Sequence, residues 1–113
     1  MSKDNVNVDF EAIPWQTWEK PGAVGRVKIA YRYGKRVRLM ELPVGFDEEH
    51  WCEIGHQGWV LEGNFRIMFE SGESYDCKPG MGFVIPDGIK HRSKGSDQSK
   101  TVVYVVDEVE QPK

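Results

Sequence analysis

An all-β sandwich or barrel is predicted by three features of this 113-residue sequence. Short alternating or β-branched runs recur along most of it, each closed by a turn signal. The later runs begin about eight to ten residues apart, the rhythm of antiparallel strands joined by tight turns. No stretch sustains a helical apolar period over three turns, so helix content should be very low.

Residues 1–23 fit this rhythm poorly. Phe10, Ile13, Trp15 and Trp18 are too apolar for a solvated tail, while Pro14 and Pro21-Gly22 interrupt any long element. We expect an arm that packs over the barrel or reaches across to a second subunit. Strands are then expected at Val24 to Arg32, Arg36 to Leu42, Glu49 to Glu53, Gln57 to Leu61 and Phe65 to Glu70. Four more follow at Ser74 to Cys77, Gly82 to Ile85, His91 to Lys94 and Thr101 to Val106. The intervening segments are turn-rich, among them Tyr33-Gly34-Lys35, Glu62-Gly63-Asn64, Pro79-Gly80 and Pro86-Asp87-Gly88. Residues 108–113 read as a frayed polar end. The whole, 1–113, is one domain, since the length supports a single core.

Composition excludes several function classes. Apolar residues make up 39% and charged residues 29%, as in a folded globular protein rather than a disordered one. A net charge of −3 leaves no basic field for a phosphate backbone, so nucleic acid is not an expected partner. No run approaches the ~18 apolar residues of a membrane span, and the N-terminus lacks the apolar stretch of a signal peptide. The default expectation is a cytoplasmic protein whose two cysteines stay free or bind metal.

All three histidines, and one cysteine, fall in a suggestive pattern: His50, Cys52 and His56 as H-x-C-x3-H, then His91. Neutral imidazole and thiolate are transition-metal ligands. In a strand, residues two apart share a face, so His50 and Cys52 can project together while Trp51 points away. Ile54-Gly55 reads as a bend that returns His56 to the same cavity. His91 stands behind the Pro86-Asp87-Gly88 turn as the remaining histidine.

The segment from Gly80 to His91 matches G-x5-P-x-G-x2-H, and so resembles the second cupin motif; the distal asparagine is replaced by Gly95. The first motif, G-x5-H-x-H-x3-4-E-x6-G, is recognisable but altered. His56 stands where the usual Glu does, with Gly63 closing the frame, His50 at the first histidine position and Cys52 at the second. Gly45 lies one residue closer to His50 than the pattern prescribes. The run His50-Trp51-Cys52-x-x-Gly55-His56 resembles a subgroup of small single-domain cupins with an H-W-C signature. The resemblance spans about Arg36 to Val106, most of the chain.

That resemblance implies a double-stranded β-helix, the RmlC-like jelly-roll barrel, holding one divalent transition metal in its mouth. The carried-over ligands are His50, Cys52, His56 and His91. A thiolate beside three imidazoles favours Zn first, with Fe or Ni as alternatives, and turns the site away from Mn and Mg. A filled tetrahedron would be structural; if Cys52 swings away, three histidines leave an open position. The implied function is a metal-dependent enzyme acting on a small polar metabolite, such as a sugar or a keto or hydroxy acid. The alternatives are a non-catalytic binding or sensing module with a structural metal, and a metal-free cupin. Cupins commonly pair, and a homodimer is expected.

Other residues carry weaker expectations. Arg36 and Arg38 share a strand face and could hold a carboxylate, although a solvated edge with surface ion pairs is the simpler reading. Asp47-Glu48-Glu49 reads as a solvated turn. Trp51 and Trp59 suit sheet packing or a dimer interface, and Phe65, Ile67 and Phe69 a core face. Tyr75, Tyr104 and Glu41 are candidate general acids or bases. A Cys52–Cys77 disulfide is the less expected cysteine arrangement.

Overall fold

A computed structural model describes residues 6–20 and 23–109. Among the described residues, nine strands form two antiparallel sheets. They are β1 (Gln16–Lys20), β2 (Ala23–Arg32), β3 (Lys35–Leu42), β4 (His56–Glu62) and β5 (Phe65–Phe69), followed by β6 (Ser74–Cys77), β7 (Gly82–Ile85), β8 (His91–Lys94) and β9 (Thr101–Glu108). The larger sheet runs β1-β2-β3-β9-β4-β7, and the smaller β6-β5-β8. A single 3-10 turn, Phe10–Ala12, is the helical content of the described residues.

Each sheet turns an alternate set of side chains toward a common core. Val27, Met40, Leu42, Val60, Val103 and Val105 come from the larger sheet, and Phe65, Ile67 and Cys77 from the smaller. Strand β9 shows the period most plainly: Thr101, Val103, Val105 and Asp107 are buried, and the residues between them half-buried. The β2–β3 hairpin closes through Tyr33 and Gly34, with φ of 49° and 78°. Positive φ at both positions gives the mirror-image turn whose twist suits the flanking strands.

Eight of the nine expected strands are present, with ends shifted by at most a few residues. The ninth, Glu49 to Glu53, is not a strand; Cys52 makes an isolated bridge to His91 within an irregular segment. In the expected arm, Gln16–Lys20 instead joins the larger sheet as its edge, antiparallel to β2. Its signal was hidden because Trp18 alone contributes an inward apolar side chain, stacked on Phe46 with ring centroids 5.6 Å apart. Phe10 packs edge-on against Tyr104 at 5.9 Å, so this part of the arm lies over its own barrel. The expected break at Pro21-Gly22 and the end beyond Val109 lie outside the described residues. Glu108, placed by expectation in the frayed end, pairs with Lys35 at the end of β9.

Candidate functional site

The site forms where β4 and β8 begin. The segment before β4 is stapled to the turn before β8: Gly55 N–H donates to Asp87 Oδ1 at 2.6 Å, and Gly88 N–H donates to Glu53 O at 2.8 Å. A side chain at Gly55 would put its Cβ 2.4 Å from Ile85 O, so the close approach needs glycine. This staple carries His56, the next residue, toward His91, three residues beyond Gly88. Cys52 then exchanges backbone hydrogen bonds with His91, at 2.8 and 2.9 Å.

Three of the four expected metal donors therefore line one cavity: Cys52, His56 and His91. The rings of His56 and His91 lie 5.2 Å apart at 73°. His50 does not join them. It is exposed at a bend and does not line the cavity. Without a strand at 49–53, the two-residue periodicity that would have put His50 beside Cys52 does not apply. Among the described residues, no group of three or more His, Cys, Asp or Glu side chains is gathered closely enough to hold a metal ion. The closed four-donor tetrahedron thus does not fit this arrangement, while two imidazoles with Cys52 nearby supply a sparser N/S donor set.

The wall beside His56, on the same sheet, is charged. Arg36 and Arg38 of β3 and Asp107 of β9 line the same cavity. The β3–β9 register sets Arg36 directly opposite Asp107. Arg36 Nε donates to Asp107 Oδ1 at 2.9 Å and its Nη2 to Oδ2, a two-pronged pair. Arg38 Nη2 reaches the same Oδ2 at a long 3.4 Å, and its buried Nε has no hydrogen-bond partner. The solvated-edge reading of Arg36 and Arg38 is thereby corrected: the Arg38 side chain is 9% exposed and that of Asp107 is fully buried. Glu48, expected in a solvated turn, is also buried and lines the cavity, where its Oε1 accepts from Ser93 N–H at 3.3 Å.

These surroundings set the protonation of the site. Burial, then His91 and Arg38, pushes the His56 imidazole down to about 4, so it is neutral near pH 7. The hydrogen bond to Asp107 raises the Arg36 guanidinium, whereas burial, followed by repulsion from Arg36, lowers that of Arg38. His91 Nδ1 stands 3.1 Å from Ile89 O. A carbonyl can only accept, so Nδ1 carries the proton there and Nε2 is left as the basic nitrogen.

The cavity offers about 190 Å³. At about 30 Å³ per water it equals about six waters, the scale of a small metabolite. Phe46, Phe65 and Trp18 supply apolar walls. The candidate acids and bases Tyr75, Tyr104 and Glu41 are elsewhere: Tyr75 donates to Glu73, Tyr104 packs on Phe10, and Glu41 pairs with Arg26. Cys52 and Cys77 are both free thiols. Asp107 and Glu48 had escaped the sequence reading. Asp107 did leave a signal, a charge at the inward parity of Thr101, Val103 and Val105; Glu48 sits in an irregular segment and left none.

No family model matches the sequence. No curated protein matches it either. Solved structures do match by shape. The polyketide cyclase RemF from Streptomyces resistomycificus superposes with a TM-score of 0.76 at 21% identity, over 97% of this chain and 83% of that one. An RmlC-like cupin from Shewanella frigidimarina gives 0.72 at 13% identity, over 98% and 96%. An Fe(II) form of HppE gives 0.74 at 8% identity, over 94% of this chain and 62% of that one. At such identities the likeness is one of architecture, and with the two antiparallel sheets and the cavity between them it makes the fold of this chain the cupin jelly roll.

Proposed function

We propose that this chain is a small-molecule cupin that binds a polar metabolite in its barrel and moves a proton on it. One observation carries the reading: His56 and His91 meet ring to ring at a cavity of metabolite size. His91, with Nδ1 held by the Ile89 carbonyl, offers Nε2 to accept a proton from a hydroxyl or from a carbon beside a carbonyl. His56 stays neutral beside it, a hydrogen-bonding partner rather than a second charge. The apolar walls limit water around the reacting atoms.

The test is an NMR titration of ring-labelled histidines with sugars, hydroxy acids and keto acids, followed by proton exchange in D2O. A compound that belongs here should shift both His56 and His91 and exchange a proton, and His91→Asn should abolish the exchange. If no compound moves either ring, the reading falls.

A second reading is favoured by the shared cavity of Cys52, His56 and His91. In it His56 and His91, with Cys52 near, would hold a divalent ion, Zn or else Fe or Ni, which would supply Lewis-acid chemistry toward the same ligand. Elemental analysis of untagged protein, with melting before and after chelator, tests it. No retained metal, and no change in melting on adding Zn, Ni or Fe(II), would remove this reading.

A further inference from the structure

The charged wall beside His56 is built unevenly. Asp107 gives both carboxylate oxygens to Arg36, which leaves Arg38 one long 3.4 Å contact to an oxygen already engaged. Arg38 is nine-tenths buried, lines the cavity, and keeps an Nε–H with no acceptor. Guanidinium stays charged in proteins and presents its donors as a planar fork suited to carboxylate. The cavity lining as a whole carries two guanidiniums, Arg36 and Arg38, and two carboxylates, Asp107 and Glu48, and Asp107 pairs with both arginines. Glu48, the other acid at the cavity, accepts from the Ser93 amide.

We infer that the ligand of this cavity is a small monocarboxylate, a hydroxy or keto acid, whose carboxylate docks on Arg38 while its hydroxyl or carbonyl faces His56 and His91. The inference rests on the proposed small-molecule function and narrows its substrate class. The carboxylate would give the terminal nitrogens of the Arg38 guanidinium a charged acceptor in place of their one long contact. A neutral sugar would offer Arg38 only uncharged acceptors, and a dicarboxylate would bring a second charge against the apolar walls of Phe46 and Phe65. The space of about 190 Å³ suits an acid of a few carbons.

The test uses glycolate, lactate and pyruvate against the neutral probes hydroxyacetone and pyruvamide, with the intact wild-type chain. Binding is read by calorimetry and by the Arg38 Nε–H and His56 and His91 ring signals. A carboxylate should shift all three sets and bind at least about tenfold more tightly than its neutral counterpart. Arg38→Lys, which keeps the charge but loses the fork, should weaken the acid by about tenfold or more and leave the neutral probe unchanged. Should that variant fail to fold, the wild-type Arg38 signal still decides the matter. Equal affinity for pyruvate and pyruvamide, or an Arg38 signal indifferent to every acid, overturns the inference. Neutral probes that shift His56 and His91 while the acids do not would overturn it and leave the small-molecule reading standing. Silence from all five probes at both rings and at Arg38 would remove the two together.

Discussion

Asp107 and Arg36 are direct cross-strand partners, and the same carboxylate also meets Arg38 two residues along β3. One acid therefore holds the charge of a whole cavity wall. Removing one member of a buried ion pair costs about 3–5 kcal/mol, because its partner is left uncompensated in low dielectric. The Arg36 side chain is 27% exposed, which places the effect near the lower end. Asp107→Asn should lose about 3 kcal/mol in urea denaturation. A loss below about 0.5 kcal/mol, the range of ordinary surface changes, would contradict the assignment of Asp107 as the charge anchor.

His56 makes stability depend on pH in the acid range. Its folded value of about 4 lies below the ordinary 6.5, so between these the unfolded chain takes up a proton that the folded one refuses. Stability should thus be full above about pH 6.5 and fall as pH drops toward 4, by about 3 kcal/mol once below both values. Metal-free protein melted across this range should show the limb, and His56→Asn should flatten it. A profile identical in wild type and variant would mean that the imidazole is not held neutral.

The strand pattern was largely legible because burial on one face imposes a period of two, as in Thr101 to Asp107. Local chemistry likewise exposed the hairpin at Tyr33-Gly34 and the turn before His91. Two things were not legible. The segment around His50 has strand-like composition, but Cys52 pairs with His91 at a single bridge, and no ladder propagates the alternation. Arg38 looked like a solvated charge, since its inward parity, shared with Met40 and Leu42, counts only once Asp107 is known to sit across from its neighbour. Tertiary pairing, not local pattern, decides whether a charge is inside.

His50 is the sharpest separation between motif and geometry. It is exposed and outside the cavity, unlike Cys52, His56 and His91. His50→Ala should change ligand affinity by no more than about twofold, as expected for a surface substitution. His56→Asn should abolish the ligand-induced shift of the His91 ring. A large loss of binding or of retained metal in His50→Ala would restore it to the site and require the 50–55 segment to rearrange.

Gly58 tests how closely the cavity depends on β4. A Cβ there would lie 2.3 Å from Tyr104 O and 2.6 Å from the Phe83 ring, whose edge contact with His56 spans 6.2 Å. Backbone cannot yield as a flexible side chain does, so Gly58→Ala should separate β4 from β9 and displace Phe83. We expect a loss of about 2 kcal/mol or more, within the range for overpacked cores, together with shifted His56 ring signals. Unchanged denaturation midpoints would show that the β4–β9 contact leaves room for a methyl group.

We propose finally that the chain forms a homodimer through the face around β7. That strand ends the larger sheet, so among the described residues its outer backbone edge has no strand partner within the sheet. Beside it Val84 is 77% exposed, and Trp59, Leu61 and Met81 are about half exposed. An adjacent apolar groove is lined by Phe69, Tyr75, Phe83 and Ile89. An open edge beside exposed apolar side chains invites a second copy, because pairing satisfies the backbone and removes the apolar surface from water. Light scattering at micromolar concentration should give twice the 13.0 kDa chain mass. Val84→Glu, pointing a charge into the interface, should return the single mass without unfolding the barrel. A wild-type chain that scatters as a monomer at this concentration would eliminate the pairing.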